Sequence, residues 1–132
     1  MKLITRDTDY AVRALVYIAR SGSRIVTSDE LVRKLAIPRP FLRKILQALN
    51  RSSILKSYKG QGGGFSLGRR PAGIYLADLI AIFQGKVEIN KCLFKKRLCP
   101  NRSSCLLRSR INGIERRLLE ELNSISIASL LR

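Results

Sequence analysis

A chain of 132 residues has the size of one domain and leaves no room for two full catalytic halves. Hydrophobic residues make up 45% of it, enough for a core, while 26 Lys+Arg against 9 Asp+Glu give a net charge of +17 and point to a polyanionic partner. Histidine is absent, which excludes Ser-His-Asp and Cys-His nucleophilic machinery and any metal site that needs imidazole.

Arg6, Asp7 and Asp9 precede a short apolar run bounded by Arg13 and Arg20, so neither a secretory signal nor a bilayer span is expected. Three cysteines cannot all pair within one chain. A disulfide framework is therefore not expected, a metal or redox-thiol role gains weight, and the expected compartment is a reducing cytoplasm.

Ala11, Val12, Ala14, Leu15, Val16, Ile18 and Ala19 cover a wide helical face and predict a first helix over residues 8–20. Thr27 with Glu30 three residues later has the spacing of a capping box, in which the hydroxyl accepts an orphan N–H and the carboxylate reaches back. A second helix over 28–36 follows. Pro40 suits the first turn of a third helix, expected over 39–50, with Phe41, Leu42, Ile45, Leu46 and Leu49 as its buried face. Two short helices joined by a tight proline turn describe a helix-turn-helix. Residues 54–58 and 65–69 read as strands around the turn Lys59-Gly60-Gln61-Gly62-Gly63-Gly64, which makes a wing. The glycine run fits neither phosphate-loop pattern, since no Lys-Ser or Lys-Thr follows it and Phe65 stands where the dinucleotide fingerprint needs glycine.

Ile74, Leu76, Leu79, Ile80, Ile82 and Phe83 outline a fourth helix, with Gly85 suited to a left-handed cap. Residues 91–104 read as a loop. Leu107, Ile111, Ile114, Leu118 and Leu122 then recur at four- and three-residue steps along a long helix over 105–122. That spacing suits a homodimer seam, or else packing on the chain's own domain. Residues 126–132 are expected to add one short helical turn.

On the third helix Arg39, Pro40, Arg43, Lys44 and Gln47 lie outside the buried set. In a helix-turn-helix that side enters the major groove, where Arg pairs with guanine and Gln with adenine, so Arg43 and Gln47 are the candidate base readers. Arg33, Lys34, Lys56, Lys59 and Gln61 are candidate backbone contacts. Cys92, Cys99 and Cys105, with six and then five residues between them, stand among Lys91, Lys95, Lys96 and Arg97. Thiolates in such surroundings suit an iron–sulfur cluster, and inert thiols or a redox disulfide fit the spacing as well.

With these residues in view the chain resembles the Rrf-two family of bacterial transcription regulators, the IscR- and NsrR-like proteins. The likeness rests on Thr8-Asp9-Tyr10-Ala11, on Ile37-Pro38-x-x-Phe41-Leu42, on the wing from Lys59 to Phe65 and on the three cysteines. The resemblance implies a DNA-binding homodimer with crossing long helices, carrying one [4Fe-4S] or [2Fe-2S] cluster per subunit that changes operator binding with iron supply, redox state or nitric oxide. It also implies Cys92, Cys99 and Cys105 as ligands. The IscR-like histidine ligand has no counterpart, Arg108 standing in that region, whereas Asp9 matches the aspartate through which NsrR-like proteins reach a cluster from the partner subunit. Asp7 is a second candidate, and Asp9 also suits a helix N-terminal acid.

The expected architecture is mainly α with a small β wing: a winged helix-turn-helix domain at 1–85, a cysteine-bearing cluster loop at 86–105, and a dimerisation helix with its tail at 106–132. The expected function is a non-enzymatic transcription regulator, a repressor, on a palindromic duplex operator and without a membrane. The competing reading is a winged-helix nucleic-acid-binding protein with zinc or a thiol redox switch at the cysteines.

Overall fold

The computed structural model describes residues 3–87 and 106–131. Helices α1 (Arg6–Arg20), α2 (Ser28–Leu35) and α3 (Arg39–Arg51) precede an antiparallel hairpin of β1 (Leu55–Tyr58) and β2 (Gly64–Leu67). Then come α4 (Leu76–Phe83), the long α5 (Leu106–Ser124) and a final 3-10 turn, Ala128–Leu130. A 3-10 turn at Pro71–Gly73 precedes α4, and Ile74, read as the start of that helix, is instead extended and buried.

Helix α1 starts two residues earlier than its apolar stripe suggests. Thr5 is extended at the N-cap, and Asp7 and Asp9 occupy the first turn, where carboxylates complement the helix dipole. The start is held from α4. Gln84 Oε1 accepts from the Thr5 N–H at 3.0 Å and from the fully buried Thr8 hydroxyl at 2.6 Å, while Gln84 Nε2 donates to the Leu3 carbonyl at 3.0 Å. Helix α2 forms only half of the expected capping box. Thr27 Oγ1 accepts the Glu30 N–H at 3.1 Å, but the Glu30 carboxylate turns instead to Arg24 and Tyr17, a charged bidentate partner outweighing a single backbone N–H.

Leu15 and Ile18 of α1, Leu31 of α2, Leu42, Ile45, Leu46 and Leu49 of α3, and Leu79 of α4 share one core with Ile37, Ile54, Leu55, Ile74 and Ile127. Each such side chain contributes about 1.5–3 kcal/mol by leaving water. Phe41, expected in the buried set, is only half-buried and lies under the Arg6 guanidinium, 4.1 Å from its ring centre. The turn between α2 and α3 is three residues, with Ala36 in the left-handed region at φ 55° and Ile37 driven into the core.

The hairpin pairs Leu55 with Leu67 and Tyr58 with Gly64. Val26 pairs with Phe65, exchanging N–H···O bonds of 2.9 and 2.8 Å, so the segment before α2 fastens the wing to the helices. Glycine is obligatory here, since a Cβ at Gly63 would stand 2.2 Å from the Tyr58 carbonyl oxygen and one at Gly64 2.5 Å from that of Val26. Gly85 adopts φ +80° just after α4, the left-handed conformation expected of it. Beyond α5 the chain returns to the winged unit: the Leu76 N–H donates to Ile125 and the Ile127 N–H to Ile74, both at 2.8 Å, and Ile127 is buried. The tail read with the dimerisation helix is thus docked on the N-terminal unit. Among the described residues no helix is long and apolar enough to cross a membrane.

Candidate nucleic-acid interface

Helix α3 buries Leu42, Ile45, Leu46 and Leu49 against the core and therefore turns Arg39, Pro40, Arg43, Lys44 and Gln47 to solvent. Two grooves flank that face. The smaller, about 220 Å³, has Leu42, Leu46, Val32 and Phe65 in its walls and Arg39, Arg43 and Gln47 around them. The larger, about 540 Å³, runs between α3 and the wing and is lined by Gln47, Asn50, Tyr58, Lys59 and the first turn of α2. Arg39 and Arg43 thus line the smaller groove and Lys59 the larger, and Gln47 lines both.

The other candidate contacts lie outside these two grooves. Arg33 and Lys34 are exposed in the last turn of α2, Pro40 and Lys44 on α3, Lys56 on β1 and Gln61 at the wing tip. Sequence reasoning passed over Asn50, Tyr58 and Asp29. Asn50 is three residues beyond Gln47 and so on the same helical face, a signal within reach. Asp29 is brought in only by tertiary folding: its Oδ1 pairs with Arg39 Nη2 at 2.6 Å across the helix-turn-helix.

Of the proposed cluster ligands, Cys92, Cys99 and Cys105 lie outside the described residues. Asp9 lies in the first turn of α1, partly exposed, with Oδ2 3.0 Å from Arg13 Nη2 one helical turn on. Asp7 stands 3.6 Å from Arg6 Nε. On α5 Leu106, Leu107 and Ile114 are exposed by 81%, 69% and 47%, Ile111 and Leu118 are half-buried, and Leu122 is buried within the chain itself. Leu122 is therefore covered by its own chain, as the second reading of the seam has it, and the open apolar positions belong to the first half of the helix.

The model of the Rrf2 (Rrf-two) family, described as an iron-dependent transcriptional regulator, matches residues 4–132. An HTH-type transcriptional regulator of Aquifex aeolicus is 37% identical over 98 residues, 74% of this chain and 68% of its own. The HTH-type transcriptional regulator IscR of Xenorhabdus nematophila is 26% identical over 98% of this chain and 79% of its own. Among solved structures, CymR, the global cysteine regulator of B. subtilis, superposes with a TM-score of 0.80 at 21% identity, covering 98% of this chain and 96% of that one, and shares the fold. With a winged helix-turn-helix whose α3 turns a basic face to solvent and a family match over nearly its whole length, the chain belongs to the Rrf2 family and is a DNA-binding transcriptional regulator rather than an enzyme.

Proposed function

We propose that the protein is a homodimeric repressor that binds a palindromic operator through α3 and the wing, with an iron–sulfur cluster at Cys92, Cys99 and Cys105 setting its operator affinity. The observation that carries the DNA part is the outward face of α3, where Arg39, Arg43 and Gln47 stand clear of the core beside the Lys59 wing. Arg43 and Gln47 read base edges, while Lys59, Lys56, Arg33 and Lys34 hold phosphates. Two copies pair through Leu107, Ile111, Ile114 and Leu118, which spaces two half-sites by about one helical turn or a multiple of it.

The donor chemistry fits the cluster. Three thiols and no imidazole in 132 residues leave sulfur and oxygen as the side-chain ligands, and thiolates suit iron–sulfur centres. Bound there, such a cluster supplies a charge and ligand set that respond to oxygen, nitric oxide and iron supply. Asp9 is the oxygen ligand offered by the partner subunit, and its carboxylate needs only to exchange a half-exposed contact with Arg13. In a reducing cytoplasm the thiols stay available.

Iron, sulfide and zinc analysis of protein purified without oxygen tests the proposal. Iron and acid-labile sulfide in the wild type, both lost in Cys92→Ala, Cys99→Ala or Cys105→Ala, are expected. One zinc per chain with neither iron nor sulfide would refute the cluster and favour a zinc-bearing regulator.

A further inference from the structure

Asp29 is the single carboxylate among the residues lining the larger groove of a chain that carries a net charge of +17. It sits in the first turn of α2, its side chain 74% exposed, and holds Arg39 on the first turn of α3 through the 2.6 Å ion pair. An ion pair this open to water adds little to folding, yet it occupies the guanidinium that stands at the entry of the DNA-facing helix. We propose that Asp29 is a positioning residue that sets DNA specificity through Arg39, an inference that rests on α3 being the DNA-contacting helix.

Asp29 and a DNA phosphate compete for the Arg39 guanidinium. A phosphate that takes the free N–H donors of Arg39 brings its charge beside the Asp29 carboxylate, and one that takes Nη2 displaces it, so sequence-independent docking is penalised at this point. A base edge makes a different demand. With Nη2 engaged by the carboxylate, the other N–H donors of the guanidinium stay available for guanine O6 and N7. The carboxylate itself can accept from the exocyclic amine of cytosine. A G·C pair thus satisfies both side chains together, whereas a phosphate satisfies Arg39 alone and meets Asp29 as a like charge. The alternative role for Asp29, complementing the dipole of α2, would alter thermal stability and leave the preference among DNA sequences untouched.

The experiment uses the full chain purified without oxygen and two probes: a pool of random-sequence 40-base-pair duplexes, and the duplex that the wild type enriches from that pool. Asp29→Asn, which keeps shape and removes charge, should tighten binding to the random pool about three- to tenfold and steepen the salt dependence by about one phosphate contact. Affinity for the enriched duplex should rise less, so the ratio between the two falls. A changed melting temperature with an unchanged ratio, or equal changes on both probes, would overturn the inference. Arg39→Ala separates its failure from that of the underlying reading. If Arg39→Ala weakens binding while Asp29→Asn leaves the ratio alone, only the role of Asp29 falls. If Arg39→Ala changes neither affinity, the first turn of α3 does not meet DNA and both fall.

Discussion

The Glu30 carboxylate takes Nη1 and Nη2 of Arg24 at 2.8 Å each and the hydroxyl of Tyr17 at 2.5 Å, joining α2 to α1 and to the turn between them. The Arg24 fork is the main cause that holds the Glu30 carboxyl down at about 2, with the Tyr17 hydrogen bond second. The hydrogen bond to the Glu30 carboxylate pushes the Tyr17 phenol above its ordinary value. Because the folded carboxyl titrates below the unfolded one, its contribution is complete above the ordinary value of 4.5 and disappears as the pH falls toward about 2. Wild type should therefore melt above Glu30→Gln at neutral pH, and the gap should close between about pH 4.5 and pH 2 in thermal scans. A gap that stayed constant across that range would assign the difference to packing. Sequence spacing pointed Glu30 at the N-terminus of its own helix, but Arg24 enters only once the turn after α1 has folded back.

At the scale of elements, α3 was legible because its burial follows one periodic face: Leu42, Ile45, Leu46 and Leu49 are buried and Arg43, Lys44 and Gln47 are not. Phe41 departed from that pattern because Arg6, from the start of α1, covers its ring, a contact made by residues 35 positions apart. The wing was legible from its glycines and from alternating residues on either side, whereas its pairing with Val26 has no local signature. On the proposed reading, helix and wing carry separable parts of DNA binding. Arg43→Ala should cost about 1–3 kcal/mol at one base position and relax selection there, in a binding assay against single-base operator variants. Lys59→Ala should weaken all duplexes alike and flatten the salt slope by about one contact. Equal losses on every duplex for Arg43→Ala would remove it from base reading.

For the whole molecule, the question is which surfaces one chain covers by itself. The end of α5 is covered: Leu122 is buried and the tail inserts Ile127 into the core. That return was hidden from sequence because Ile125 and Ile127 pair with Leu76 and Ile74, about fifty positions earlier. The start of α5 is open, with Leu107 and Ile114 largely in water, and a second copy is the proposed cover. Leu107→Asp with Ile114→Asp should cost the dimer about 3 kcal/mol or more by burying charge in an apolar contact. Sedimentation should then show monomers with an unchanged circular dichroism spectrum. Unfolding, or an unchanged dimer, would place the seam elsewhere.

The proposed coupling runs from the cysteine segment to α3, and the affinity of the anaerobically purified chain for its enriched duplex, before and after iron is stripped, tests it most directly. A change of about 5- to 150-fold on that duplex is the usual size of such coupling, and a change in that range with little change on random DNA is the expected result. Equal affinity with and without iron would contradict it.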